Sequence, residues 1–432
     1  MYRQYLKQAM AVLGESPFFS LITVLGTASA ICLIMVMVIV FELQDKGVEP
    51  DVDRGRTLYV KQMVVNQKEG GEALCYTSIS GPVAKNCFFT LKIPEAVSVQ
   101  QRRTQALVTT TDQAKRMKSD LLRTDAAFWK VFSFHYLAGK PYEQSDVESG
   151  LPRAVISDRL ALQLFGEADE GIVGQTVLVA RQPYVVSGIV EDVSPLATHA
   201  YSQIWIPYPQ SDVDQLVDEV SLDGLFGSFV VTIKARSSAD FEAIKNELNQ
   251  ELKRFNSNLN TCEVDLQGQP DTQIESRLRI YSDVNPDLSV MVWQYALVLA
   301  ILLLVPAMNL SGLTTSRMQK RIGELGVRKA FGATKGTLMY QVMIENFAIT
   351  LLGGVLGLLF SYVAVFLLRD WLLGSSELST VGGNLTISVG MLIRPSIFFL
   401  ALLFCLLLNL LSCAIPAWQA TSRNIVDSLN EK

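Results

Sequence analysis

Few residues in this chain are of the types that do chemistry, and their spacing excludes most of it. The two histidines, His135 and His199, are far apart, and neither belongs to a zinc-ligand spacing. No GxSxG turn presents a serine nucleophile, and no residue group pairs a nucleophile with its base. Glu191 and Asp192 are adjacent; neighbours in a strand point to opposite faces, so they read as a solvated strand or loop end, not as a general acid and base. GATKGT at 332–337 has the wrong spacing for a GxxxxGK loop that cradles phosphate. No metal or cofactor is expected on this chain, and if ATP drives it, another chain binds the nucleotide. Cys75 and Cys87 flank the turn-forming ISGPVAKN. A disulfide closing a hairpin in an oxidising compartment is one reading and two buried free thiols the other; Cys262 is left unpaired.

Six Lys or Arg and a lone Glu lie in RMQKRIGELGVRKAFGATKGTLMYQ, residues 317–341, between two long apolar runs. Arg317, Lys320, Arg321, Glu324 and Arg328 fall on one helical face, and Met318, Ile322 and Leu325 on an adjacent one. Ion pairs from Glu324 to its basic neighbours add only about 0.2–0.5 kcal/mol each, too little to explain the pattern by stability. One reading is topological: basic residues hold a loop on the cytoplasmic side, against anionic lipid. The other is a contact surface. Gly323, Gly326, Gly332 and Gly336 would each cost a helix about 1 kcal/mol, and they point to turns or close backbone approach.

The elements that hold this segment are apolar. Of 432 residues 49% are hydrophobic, and four uncharged runs are long enough to cross about 30 Å of hydrocarbon. The expected order is a cytoplasmic amphipathic helix (1–17), a first span (18–41), an extracytoplasmic domain (42–288), a second span (289–310), a cytoplasmic connection (311–343), a third span (344–368), an outer loop (369–394), a fourth span (395–418) and a cytoplasmic tail (419–432). The first run exceeds a signal peptide's apolar region and lacks a clear cleavage site, so it reads as an uncleaved anchor. Arg3 and Lys7, with the six basic residues of 317–335, set both termini and the connection on the cytoplasmic side. Gly353 and Gly357 form a GxxxG in the third span and Gly26 pairs with Ala30 in the first; both suit close helix contact, within one chain or between copies. A net charge of -5 gives no basic footprint for nucleic acid.

Between the first two spans the pattern is that of an α+β domain. RTLYVKQMVV, TVLVARQPYVVSGIV and SFVVTIKA read as strands. Ser157 is placed to cap a helix that Gly166 ends, and Phe241, Ile244, Leu248, Leu252 and Phe255 follow helical spacing. Residues 262–266 read as a strand returning beside that of 228–235, as in a β-α-β unit.

RIGELGVRKAFGATKGTLMYQVMIEN resembles the cytoplasmic connection of MacB/FtsX-type ABC transporter permeases, whose pattern is close to R-x-x-E-x-G-[IV]-R-[KR]-A-[LF]-G-A followed by a later E. Arg321, Glu324, Gly326, Arg328, Lys329, Ala330, Gly332, Ala333 and Glu345 match it. AIPAWQATSRNIVDSL resembles the family's C-terminal ending, with Ile425 in place of the usual Pro and Ser428 in place of Ala. TDAAFWKVFSFHYLAGKP, AVISDRLALQLFGE and VVSGIVEDVSP look like its extracytoplasmic domain.

The resemblance implies four transmembrane helices arranged 1+3, with a large periplasmic α+β domain inserted after the first, in the inner membrane. It implies a permease homodimer or heterodimer docked through Arg317, Arg321, Glu324, Gly326, Arg328, Lys329, Gly332 and Glu345 on a separate ABC ATPase that binds ATP and Mg. Hydrolysis there would move the periplasmic domain mechanically. Export through a membrane-fusion adaptor and an outer-membrane channel is the leading expectation; lipoprotein extraction, or a signal relay to a cell-wall hydrolase, are the alternatives. The best-known members fuse the ATPase to the permease, whereas here only a short helix is expected before the first span.

Overall fold

The computed structural model describes residues 17–45, 47–279, 286–302, 304, 327, 328, 330–373 and scattered positions from 398 to 418. Leu43–Leu288 make up most of one unit, named the outer unit for its expected placement, and the apolar helices belong to a second. The chain opens with helix α1 (Pro17–Asp45). There follow β1 (Thr57–Val60), β2 (Met63–Gln67), β3 (Ala73–Thr77), α2 (Gly81–Val83, continuing as a π-turn over Ala84–Phe88), β4 (Ala96–Gln101), β5 (Thr104–Thr110) and β6 (Arg116–Thr124). Next come α3 (Phe128–Val131), β7 (Tyr136–Gly139), α4 (Gln144–Glu148), β8 (Arg153–Ser157), α5 (Asp158–Phe165), β9 (Thr176–Val179), β10 (Gln182–Val190) and β11 (Ile204–Pro207). The outer unit ends with β12 (Phe229–Lys234), α6 (Phe241–Ser257), β13 (Cys262–Asp265) and α7 (Gln273–Leu278). Helices α8 (Leu288–Leu302) and α9 (Lys335–Leu373) are apolar.

Two of the described helices contain stretches long and apolar enough to cross a membrane, Val24–Phe41 and Phe347–Leu368. Within α9, Val355, Leu359, Val363 and Phe366 are exposed, a surface that suits hydrocarbon and not water. The expected second span is described only as α8, and most of the fourth lies outside the described residues.

In the outer unit the large sheet runs β1-β12-β4-β6-β11-β8-β10-β9-β5, with β7 paired to β10. Because β5 also pairs with β6, six of these strands form a closed circuit of pairings, β6-β11-β8-β10-β9-β5, that leaves no free edge. Their inward residues, among them Val108, Leu121, Ile156, Val177, Ile189 and Ile204, share one core with Leu160 and Leu164 of α5. That helix starts where Ser157 accepts a 3.2 Å bond from the Leu160 N–H, and it stops at Gly166, whose φ of +90° costs a glycine little.

A second core lies between β1, β12 and β4 on one side and α6 with the three-stranded sheet β13-β2-β3 on the other. Ile244, Leu248, Leu252 and Phe255 of α6 all face it, as their spacing predicts. The two halves of the large sheet meet through a single paired position, Gln100 opposite Thr124.

Four sequence expectations change in the structure. RTLYVKQMVV breaks at residues 61 and 62 into β1 and β2, which join different sheets. TVLVARQPYVVSGIV is a hairpin turning on Ala180 and Arg181, both at positive φ, a two-residue turn without the usual Asn-Gly signal. Residues 262–265 pair with β2, so β12 and β13 lie in different sheets and form no β-α-β unit.

Cys75 and Cys87 are free thiols, and the stretch between them is no hairpin. Ser80 leads into a helical turn with Pro82 in its first turn, where the missing N–H costs nothing. A Cβ on Gly81 would sit 2.1 Å from the Asp212 carbonyl oxygen, so this close crossing requires glycine. Cys75, Cys87 and Cys262 all pack against the second core as small apolar groups.

Candidate functional site

The connection expected between the second and third spans enters the described residues at Val327. Val327, Arg328 and Ala330 are helical, and the Phe331 N–H donates to the Val327 carbonyl at 3.1 Å. Gly332 then adopts φ +92°, and the Ala333 N–H returns to the Arg328 carbonyl at 3.0 Å. This left-handed glycine ends the helical turn. Two residues later Thr334 starts the next helix: its hydroxyl accepts from the Thr337 N–H at 3.2 Å, and its carbonyl from Leu338 at 3.2 Å. From Lys335 the chain runs as one helix of 39 residues into the apolar stretch, without a break between connection and span.

This places Gly332 at the turn, with Phe331 beside it 88% exposed. The exposed aromatic next to this turn lies between Arg328 and Lys335, and the turn has no catalytic geometry. The family pattern admits Leu or Phe at position 331, and local sequence does not say whether that side chain is packed or exposed. Arg317, Arg321, Glu324, Gly326 and Lys329 lie outside the described residues, and Glu345 lies within α9.

The small residues of the spans meet within one chain. A Cβ on Gly353 would approach the Thr27 side chain at 2.8 Å and the Val24 carbonyl oxygen at 3.2 Å; one on Gly357 would meet the Ala28 carbonyl oxygen at 2.7 Å. The GxxxG face of α9 is therefore pressed onto α1 one residue past Gly26, and Thr27, Ala28 and Ile31 are buried there. Gly354 faces Leu402 instead.

At the outer unit's two chain connections, polar groups are buried in pairs. Arg54 donates to Asp51 at 2.8 Å and to the Leu196 carbonyl at 2.5 Å. Arg279 donates to Asp271 through two nitrogens, at 2.5 and 2.9 Å. Lys234 lies 2.7 Å from Asp53. Tyr59 and Asp271 exchange backbone bonds of 2.8 and 2.9 Å. The strand that follows the first connection is thus stitched to the segment that precedes the second.

Among the described residues of this unit the candidate titratable groups are held in structural pairs or desolvated singly. His199 is half-buried, stacked on Tyr59 with ring centres 4.3 Å apart; desolvation and then the neighbouring cations Lys61, Arg54 and Arg103 hold it neutral, well below the usual histidine range. His135 faces Glu191 at 3.2 Å in an exposed pair, and Asp192 lies 3.9 Å from Arg159. Burial pushes the Cys87 thiol up to about 12 and Cys262 up to about 11. Among the described residues no group of three or more His, Cys, Asp or Glu is placed to hold a metal ion.

Comparison with known proteins matches this architecture. Residues 20–251, more than half of the chain, match the MacB-like periplasmic core domain, and residues 296–425 match the FtsX-like permease C-terminal region. An uncharacterized ABC transporter permease of Bacillus subtilis, YknZ, is 22% identical over 69% of this chain and 77% of its own length. The macrolide export ATP-binding/permease protein MacB 1 of Yersinia pestis is 23% identical over 72% of this chain, which spans 43% of that relative. The pyoverdine export ATP-binding/permease protein PvdT of Pseudomonas savastanoi is 24% identical over 54% of this chain, which spans 33% of it. With both family regions matched in order along its length, the chain belongs to the MacB/FtsX-type ABC transporter permeases.

Proposed function

We propose that this chain is the permease subunit of an exporter in which a separate ABC ATPase binds ATP and Mg, and the permease converts hydrolysis into movement of its outer unit. The observation that carries this reading is the continuous helix from the Thr334 cap to Leu373: a push at the Phe331 turn meets no flexible joint before the apolar stretch. The stitching of Tyr59 to Asp271 supports a second step, because movement of either chain connection is passed to the other. Two relatives named for export of a macrolide and of pyoverdine favour export of a small molecule or peptide over the other branches.

In this reading the chain has four spans with both termini in the cytoplasm and the large unit in the periplasm, and it works as a dimer. Arg317, Arg321, Glu324, Gly326, Arg328, Lys329, Gly332 and Glu345 form the ATPase-facing surface, to which Phe331 is added. A membrane-fusion adaptor and an outer-membrane channel complete the path.

The test is reconstitution with the co-purifying ATPase. Glu324→Lys or Arg328→Glu should uncouple hydrolysis from transport while the protein stays in the membrane; full transport by both variants would count against the coupling role. Recovery of no ATPase in mild detergent would reduce the connection to a topology signal.

A further inference from the structure

The loop between β11 and β12 carries large apolar side chains that the fold itself does not use. Leu216 is 89% and Val220 94% exposed, and Phe226 is 53% exposed. Single exposed aliphatics are ordinary, but these occur within eleven residues on a loop that is firmly built. Val213 and Leu225 anchor its two ends in the second core, with Val217 and Leu222 packed against it. The Asp218 N–H donates to the Asp223 carbonyl at 2.9 Å, and the Asp218 carboxylate accepts from the Val220 N–H and the Ser221 hydroxyl, each at 2.9 Å.

Glu219 fastens the tip from outside. Its carboxylate accepts from the Asn260 N–H at 2.8 Å, the Thr261 N–H at 2.6 Å and the Cys262 N–H at 3.3 Å. Those donors, the Thr261 N–H first, draw its carboxyl down to about 2, so the latch holds throughout the physiological pH range. The Thr77 hydroxyl accepts from the Gly227 N–H at 2.9 Å, which ties the far end of the loop to β3. A loop ordered this far, with its largest side chains turned outward, is pre-organised for contact and loses little entropy when a partner arrives.

Charge selects the partner. Residues 212–223 hold five acidic residues and no Lys or Arg. Asp214 is paired with Lys85 at 2.6 Å and Asp212 is bonded to Gln101 at 2.7 Å, while Glu219 is spent on the latch. Asp218, whose bonds from the neutral Val220 N–H and Ser221 hydroxyl leave its charge in place, and the exposed Asp223 form the acidic flank of Val220. A second copy meeting this loop about a two-fold axis would set these carboxylates against their own kind, and an anionic lipid surface would be repelled. We propose that the loop of residues 212–227 is a docking knuckle for a basic, apolar segment of a different polypeptide, with Leu216 and Val220 as the anchors.

This goes beyond transport and needs only that the partner share the compartment of the outer unit. The test is a photo-crosslinking benzoylphenylalanine at position 220 of the full chain in its native membrane, with mass-spectrometric identification of the adduct. The expected product is one different polypeptide, joined at a peptide with Lys or Arg among apolar residues. Its yield should fall about tenfold with Leu216→Ser and several-fold with Asp223→Lys, both at exposed positions that leave the fold intact. Adducts to a second copy or to lipid, or no adduct when the same probe at Phe331 crosslinks, would overturn the proposal. The Phe331 probe reports separately on the ATPase contact, so failure of either reading is seen without the other.

Discussion

The Asp125 carboxylate accepts a 2.8 Å hydrogen bond from the Val99 N–H, across the junction where the two halves of the large sheet share one paired position. It also accepts from the Ser98 hydroxyl and from the Phe128 N–H, each at 2.8 Å, so one buried group ties β4 to the start of α3. Burial raises its pKa to about 6, against the lowering pull of those donors. Since the folded value lies above the ordinary one, the native state holds the proton more tightly between about pH 4 and 6. Stability from this group is therefore greatest at acid pH and falls as pH rises through that window. Thermal unfolding of the full chain in detergent should show this slope, and Asp125→Asn should flatten it. Asp125→Ala, which strands three buried donors, should cost on the order of 2–4 kcal/mol.

The contact of α9 with α1 sets a steric limit. Gly357→Ala directs a methyl at the Ala28 carbonyl oxygen, 2.7 Å away, and backbone cannot yield as a side chain can. Destabilisation of about 1–3 kcal/mol is expected in denaturation from detergent micelles. At Gly353 the nearest atoms belong to the Thr27 side chain, so Thr27→Gly should recover part of the loss caused by Gly353→Ala.

Phe331 separates contact from stability. Its side chain is 88% exposed, so Phe331→Ser should change the melting midpoint by less than about 0.5 kcal/mol equivalent. Retention of the ATPase in a pull-down should fall at least tenfold; unchanged retention would remove Phe331 from the contact surface.

The Ala180-Arg181 turn offers a gain. Both residues sit at positive φ, 49° and 72°, where Asn and Gly are at ease. Ala180→Asn with Arg181→Gly should stabilise the outer unit by about 1 kcal/mol, read as a raised midpoint.

The free state of Cys75 and Cys87 predicts that a reducing agent leaves the melting midpoint unchanged, and that a maleimide labels Cys87 and Cys262 only after denaturation. A midpoint that dropped on reduction would restore the bond.

What the sequence determined by itself was whatever depends on neighbours a few residues apart. The uncharged stretches of α1 and α9, the Ser157 and Gly166 ends of α5, and the apolar face of α6 all follow from local spacing, because helix dihedrals and caps are settled within a turn or two. Gly332 was legible only as one of four glycines that point to turns or close backbone approach.

Tertiary structure decided what depends on partners far along the chain. RTLYVKQMVV reads as one strand, yet β1 pairs with β12 and β2 with β13, partners more than 170 residues later. Pairing energy comes from the opposite strand, which local sequence does not contain. The same holds for Gly353, where a GxxxG serves contact within or between chains equally well until Thr27 is seen beside it. Phe331 and Val220 read as two more apolar residues; only the fold shows that their side chains stay 88% and 94% exposed.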